Sequence, residues 1–334
     1  IRSAVPEESS GQPASRGVIG LVGRKVIKEL VFPLLRPMLG AAAASAVHWL
    51  ETTRWPYRVR TVTPDDYRQA DASPIDRDGW SRIGAGKALL LVHGTFSRSH
   101  MAFAALPKAD VETLYRRYEG RVFAFDHLFL SEDPAANVRW LVSQMPDDVR
   151  LDLDIVCHSR GGLVSRVLSE KQSELSLGGR TIGVGKVVLV GVPNAGTALA
   201  DPEHVETLLD VFTNILNFVP DSFGAPALSM IVEFAKLAAI GALGNLEGLK
   251  SMNPAGDFAR WLNTPGQIGT TRYFAVASNV APAEAGLRHF VRSRALNALL
   301  KGGNDLVVPS DGVFAGNGSP LFPVGHPLLL EGES

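Results

Sequence analysis

Four apolar runs punctuate the middle of the chain: ALLLV (88–92), RVFAF (121–125), LDLDIVC (151–157) and KVVLVG (186–191). ALLLV reads as a buried strand, and the other three read as strands too. The intervals between them carry helix-period patterns near 101–118, 134–145 and 161–171. Buried strands separated by helices can pair in parallel only through βαβ crossovers, so the rhythm predicts a doubly wound, mostly parallel sheet of the α/β class. The rhythm stops over 201–262, an apolar and mostly helical stretch, and resumes with YFAVA (273–277). That stretch reads as a helical cap or lid inserted into the sheet's connections. A chain of 334 residues, 46% hydrophobic and 20% charged, has room for one such domain with insertions.

The first sixty residues are different. They hold nine Lys/Arg against four Glu, although the whole chain has a formal net charge of −1. Residues 1–16 read as a polar leader. Over 17–31, Val22, Val26, Ile27 and Leu30 share one helical side while Arg24, Lys25 and Lys28 share the other, and an Ala-rich helix is expected over about 39–51. The expected organisation is a leader with amphipathic helices over 1–60 and the α/β domain over 61–334, with 201–262 as its helical cap or lid insertion. Residues 17–50 support two readings: contact with a membrane surface, or helices packed on the main domain. No signal peptide is read from these residues, and the uncharged stretch 37–50 is shorter than the roughly twenty residues of a spanning helix. The single cysteine, Cys157, excludes an intrachain disulfide and fits a reducing compartment. The expectation is a cytoplasmic protein, peripheral to a membrane on the first reading. The charge balance gives no reason to expect nucleic acid.

The third apolar run ends in IVCHSRGG (155–162). A serine at a tight strand-to-helix turn, followed by glycines, is the nucleophile elbow of an α/β-hydrolase. The turn lifts the hydroxyl clear of the sheet, and the N-terminus of the next helix favours negative charge beside it. The usual pattern has glycine two residues before the serine; Cys157 stands there, and cysteine is also small. A serine hydroxyl needs a base, and the base an orienting acid. In this fold the chain order is Ser, then Asp or Glu, then His. Of the eight histidines only His204, His289 and His326 follow Ser159. His326 follows Asp305, which sits after a Gly-Gly turn in GGNDLVVP. The expected triad is Ser159, Asp305 and His326.

Negative charge developing on the substrate needs preorganised N–H donors. One is expected from Arg160, the residue after the nucleophile. The other is expected from the loop LLLVHGTFS, where Gly94 lets the backbone turn and Thr95 is the donor, with Phe96 next. Phe96, His158 and Asn194 (in PNAGT, 193–197) are expected to touch substrate. The glycine-rich GGRTIGVGK (178–186) lacks the spacing of a phosphate loop and precedes a strand. No metal-ligand spacing is evident, so neither metal nor cofactor is expected.

The segments LLLVHGTFS, CHSRGGLVSR, GVPNAGT and NDLVVP resemble those of the lipase-like α/β-hydrolases. Within that group they are most similar to bacterial hydrolase domains found beside caspase-like (CHAT) peptidase domains. The resemblance covers roughly 86–330. It implies a serine hydrolase acting on carboxylic esters or lipids, and a CHAT peptidase as a partner. The same triad also serves amidases, thioesterases and acyltransferases, and the fold serves interaction modules that have lost activity. An intact Ser-Asp-His order speaks against the last.

Overall fold

The computed structural model describes residues 41–180, 182–204, 207–208, 211, 230, 246–264, 269–280, 307–316, 319–324 and 327–332. In chain order the helices are α1 (Ala41–Arg54), α2 (Arg77–Gly84), α3 (Ser99–Ala102), α4 (Lys108–Arg117), α5 (Pro134–Ser143), α6 (Gly161–Glu170), α7 (Glu247–Lys250) and α8 (Asp257–Asn263). The strands are β1 (Arg58–Thr61), β2 (Lys87–Val92), β3 (Val122–Asp126), β4 (Leu151–His158), β5 (Ile182–Val190), β6 (Arg272–Val280), β7 (Ala315–Gly316), β8 (Ser319–Pro320) and β9 (Leu328–Gly332). The expected α/β-hydrolase fold is present.

The main sheet runs β1-β3-β2-β4-β5-β6-β9. Every neighbouring pair is parallel except β1 with β3. The chain steps from β2 to β3 in one direction across the sheet, and from β4 through β5 and β6 to β9 in the other. Right-handed crossovers then put α4 on one face and α6 on the opposite face. Accordingly Leu89, Leu91, Val122 and Ala124 pack with Val111 of α4. Leu90, Val92, Phe123, Phe125 and Ile155 pack with Val138 and Leu141 of α5 and with Leu163 and Val167 of α6. The reversal lies between β2 and β4. In open α/β sheets ligands bind outside the carboxyl ends of the strands at such a point.

The elements depart from expectation where local chemistry overrides periodicity. The helix expected over 101–118 is two helices, because Pro107 takes the N-cap of α4 with ψ 139°, outside the helical range. Strand β5 begins four residues earlier than its apolar run, since Gly183 and Gly185 dilute the pattern and the pairing shifts register at Leu153/Asp154. The C-terminal β9 was not anticipated.

Of the basic N-terminal segment, residues 17–40 lie outside the described residues. Helix α1 is docked on the domain: Val47 joins the main core and the Glu51 side chain is buried. Most of 201–262 also lies outside the described residues. Its described positions Leu208, Val211 and Met230 are buried in the main core. Among the described residues no helix is long and apolar enough to cross a membrane.

Candidate active site

Strand β4 delivers Ser159 to the carboxyl edge of the sheet, and α6 starts two residues later. Ser159 has φ +51°, a left-handed conformation that L-residues avoid at a cost of about 1–2 kcal/mol. Two bonds hold the turn: Ser159 N–H donates to Val190 O at 2.9 Å, and Gly162 N–H donates to Ser159 O at 2.9 Å. The two following glycines have separate reasons. A methyl group at Gly161 would lie 2.3 Å from His93 O, and one at Gly162 would lie 2.2 Å from a Val192 methyl. The elbow closes only because the helix backbone presses directly on the ends of β2 and β5.

Cys157, in the position usually taken by glycine, points into the core, with its Sγ 3.2 Å from Val188 O. Burial pushes its thiol up to about 12, so it is held neutral and takes no part as a nucleophile. His158 is exposed at the strand end, and Ser159 is half-buried.

The loop after β2 runs against the elbow. A methyl group at Gly94 would lie 2.7 Å from Ser159 Cβ and 3.1 Å from His158 Nδ1. Thr95 follows, with its hydroxyl 3.9 Å from Met252 Sδ. Among the described residues, neither the Thr95 nor the Arg160 N–H donates to a backbone carbonyl. Phe96 has φ +51° and turns inward, edge-on to Phe129 with ring centroids 5.6 Å apart. It is buried and belongs to the main core.

Beneath this loop lies a buried polar layer. His93 and His127, just past the ends of β2 and β3, stack with centroids 4.3 Å apart. His127 N–H donates to His93 Nε2 at 3.0 Å, so His93 carries its proton on Nδ1, which donates to Gly94 O at 2.7 Å. His127 Nε2 lies 2.9 Å from His93 O, and its Nδ1 lies 3.0 Å from Leu128 O and 3.2 Å from Arg160 Nη1. Burial lowers His93 to about 4 and holds His127 well below the usual imidazole range. Both are neutral at pH 7. Asp126, at the end of β3, accepts from Arg58 Nη2 at 2.8 Å, Arg98 Nη2 at 3.3 Å and Ser99 N–H at 2.7 Å. Burial alone would raise its carboxyl; Arg98, His93 and Arg58 overcome that and hold it far below the carboxylate range.

Asn194, expected to touch substrate, is bonded on both sides to neighbouring protein groups. It is buried, accepting from Arg166 Nη1 at 3.2 Å and donating through Nδ2 to Val313 O. Asp305 and His326 lie outside the described residues. The structure therefore brings together Ser159, His158, Gly94, Thr95 and Arg160. The sequence reading missed the side chain of Arg160 and the His93–His127 stack. The signal for the stack was present: each histidine directly follows a predicted strand and its last residues. Among the described residues no group of His, Cys, Asp and Glu side chains is placed to hold a metal ion.

A family described as "Domain of unknown function (DUF7379)" matches residues 54–334. No protein of curated function matches the chain by sequence. Among solved structures it is similar to the mature lipase BlEst2 of Bacillus licheniformis, at 17% identity and TM-score 0.42, covering 80% of this chain and 89% of that one. It is similar to lipase 1 of Pelosinus fermentans, at 12% identity and TM-score 0.46, over 73% of this chain and 91% of the other. For the Staphylococcus hyicus lipase the values are 11% and 0.44, over 74% and 87%.

Proposed function

The chain belongs to the DUF7379 family, a domain family of unknown function, and from its own residues we propose that it is a serine hydrolase of carboxylic esters, lipid esters among them. The observation that carries this reading is the strained Ser159, φ +51°, followed by glycines that tolerate no side chain, with the N–H groups of Thr95 and Arg160 donating to no backbone carbonyl among the described residues. A surface serine in an ordinary turn has no reason to hold that conformation, and strain of this kind collects where function fixes it.

In the proposed reaction Ser159 Oγ attacks the ester carbonyl while His326 takes its proton. Asp305 orients the imidazole and stabilises the imidazolium. The carbonyl oxygen becomes an oxyanion held by the N–H groups of Thr95 and Arg160, beside the N-terminus of α6. The tetrahedral species collapses, the proton passes from His326 to the departing alkoxide, and an acyl-Ser159 ester remains. Water attacks that ester by the same route in reverse, releasing the acid and restoring the serine.

The test is labelling by a fluorophosphonate together with hydrolysis of p-nitrophenyl esters of graded chain length. Wild type labels; S159A does not, and its turnover falls by on the order of 10⁴- to 10⁶-fold, the scale on which removal of one triad member acts. H326A and D305N follow in the same range if they complete the relay. A pure, folded wild-type chain that neither labels nor turns over any ester overturns the proposal.

A further inference from the structure

The loop 127–132, which follows β3, is held from both sides by buried charges of opposite sign. Glu51, in the last turn of α1, accepts from three consecutive backbone N–H groups: Phe129 at 2.6 Å, Leu130 at 2.9 Å and Ser131 at 2.8 Å. It also accepts from Ser131 Oγ at 2.7 Å. From the other side Arg160 donates through Nη1 to Leu128 O at 3.2 Å, through Nη2 to Glu132 O, and through Nε to Gly248 O at 2.9 Å. Gly248 N–H in turn donates to Leu130 O at 2.8 Å. Glu51 is 1% exposed and Arg160 is fully buried. Neither charge is in direct contact with the other. The peptides between them present N–H groups to the carboxylate and carbonyls to the guanidinium, which is how two buried charges compensate through a loop.

This loop also touches the neighbours of both unspent N–H groups. Arg160 supplies one of them. Phe129 packs edge-on against Phe96, the residue after Thr95, and His127 is bonded to His93, two residues before Thr95. We propose that Glu51 is a positioning residue for the oxyanion hole: α1 supplies the anionic jaw of a clamp whose cationic jaw is Arg160, and the clamp fixes the backbone on both sides of the Ser159 hydroxyl. The proposal rests on reading Ser159 as the nucleophile. It has a further consequence. The family match begins at residue 54, so the matched region alone lacks Glu51, and the N-terminal helix becomes part of the catalytic unit.

The full chain carrying E51Q or E51A tests this, with p-nitrophenyl butyrate as substrate and circular dichroism as the check on folding. The expected result is a fall in kcat of about 10- to 100-fold, the scale on which displaced catalytic geometry acts, with KM changed less than about twofold. In E51A, sodium formate restores part of the lost kcat by occupying the vacated cluster of N–H groups, and sodium chloride at equal ionic strength does not. Folded variants with wild-type kcat, or a loss in E51A that formate leaves untouched, overturn the proposal. Should E51A fail to fold, E51Q decides it alone: unchanged kcat overturns, a fall in kcat at constant KM supports. An inert wild type overturns the nucleophile reading itself; an active wild type with an equally active E51A overturns only the clamp.

Discussion

The two halves of the sheet are built to different standards. From β1 to β4 it is buried on both faces, and all five residues of β3 are inaccessible. At the other end β9 leaves Leu328, Leu329 and Leu330 at 55%, 48% and 52% exposure, and Phe274 of β6 is 45% exposed. The Ser159 turn, the loop after β2 and the stacked histidines all stand on the closed half. The expected acid and base, Asp305 and His326, belong to the chain between β6 and β9. The proposed nucleophile and its proposed N–H donors need fixed geometry, and close packing supplies it.

The largest test of that contrast is one substitution made in two places. In Gly161→Ala the new methyl meets the backbone oxygens of His93 and Val92 at 2.3 and 2.7 Å. Backbone cannot give way as a side chain can, so a loss of about 3 kcal/mol or more is expected, with loss of fluorophosphonate labelling. In Gly183→Ala, in β5, the nearest atoms lie at 3.6 Å or beyond. There alanine is expected to cost nothing, or to stabilise by up to about 1 kcal/mol through the unfolded chain. Equal urea midpoints for the two variants would erase the distinction between the halves.

A middle-sized effect comes from pH. His93 in the unfolded chain takes a proton near 6.5, whereas the folded, buried ring takes one only near 4. Between those values the unfolded state binds more protons, so stability falls as pH falls. For His93 the loss between pH 7.5 and pH 5 is about 2 kcal/mol, and His127 adds to it in the same direction. Asp126, also depressed, contributes stability that persists until the pH drops below the ordinary carboxylate range near 3.8. Acid sensitivity therefore starts in the stacked histidines, above the range where carboxylates titrate. Urea midpoints that stay flat from pH 7.5 to pH 5 would show that the layer beneath the oxyanion loop is not sealed.

What could be read from the chain follows the same division. The runs ALLLV and VFAF announced their strands because burial on both faces demands continuous apolar sequence. Ser159 with Gly161 and Gly162 announced the elbow because only glycine fits there. Strand β9 gave no such signal: an exposed edge places no demand on its sequence. Glu51 and the role of the Arg160 side chain were invisible for another reason. Their partners are backbone groups, Phe129 N–H and Leu128 O among them, and a peptide bond carries no sequence signature. The bonds of Asn194 were not legible either: Asn near a strand end reads the same whether it faces a cleft or braces a loop, and its contacts with Arg166 and Val313 are tertiary.

The smallest predicted effect is the most direct check on the open half. Leu329, on the edge strand, is about half exposed, so Leu329→Ser removes little contact and is expected to shift stability by no more than about 0.5 kcal/mol. Leu91, on β2 and 5% exposed, is the matched comparison: truncation to alanine there is expected to cost about 2–5 kcal/mol. Both positions lie one residue in from the end of a strand paired in parallel and differ chiefly in what covers them. If Leu329→Ser in the full chain proved as costly as Leu91→Ala, the β9 edge would have to be covered in solution, and the contrast between the halves would be one of partners rather than of design.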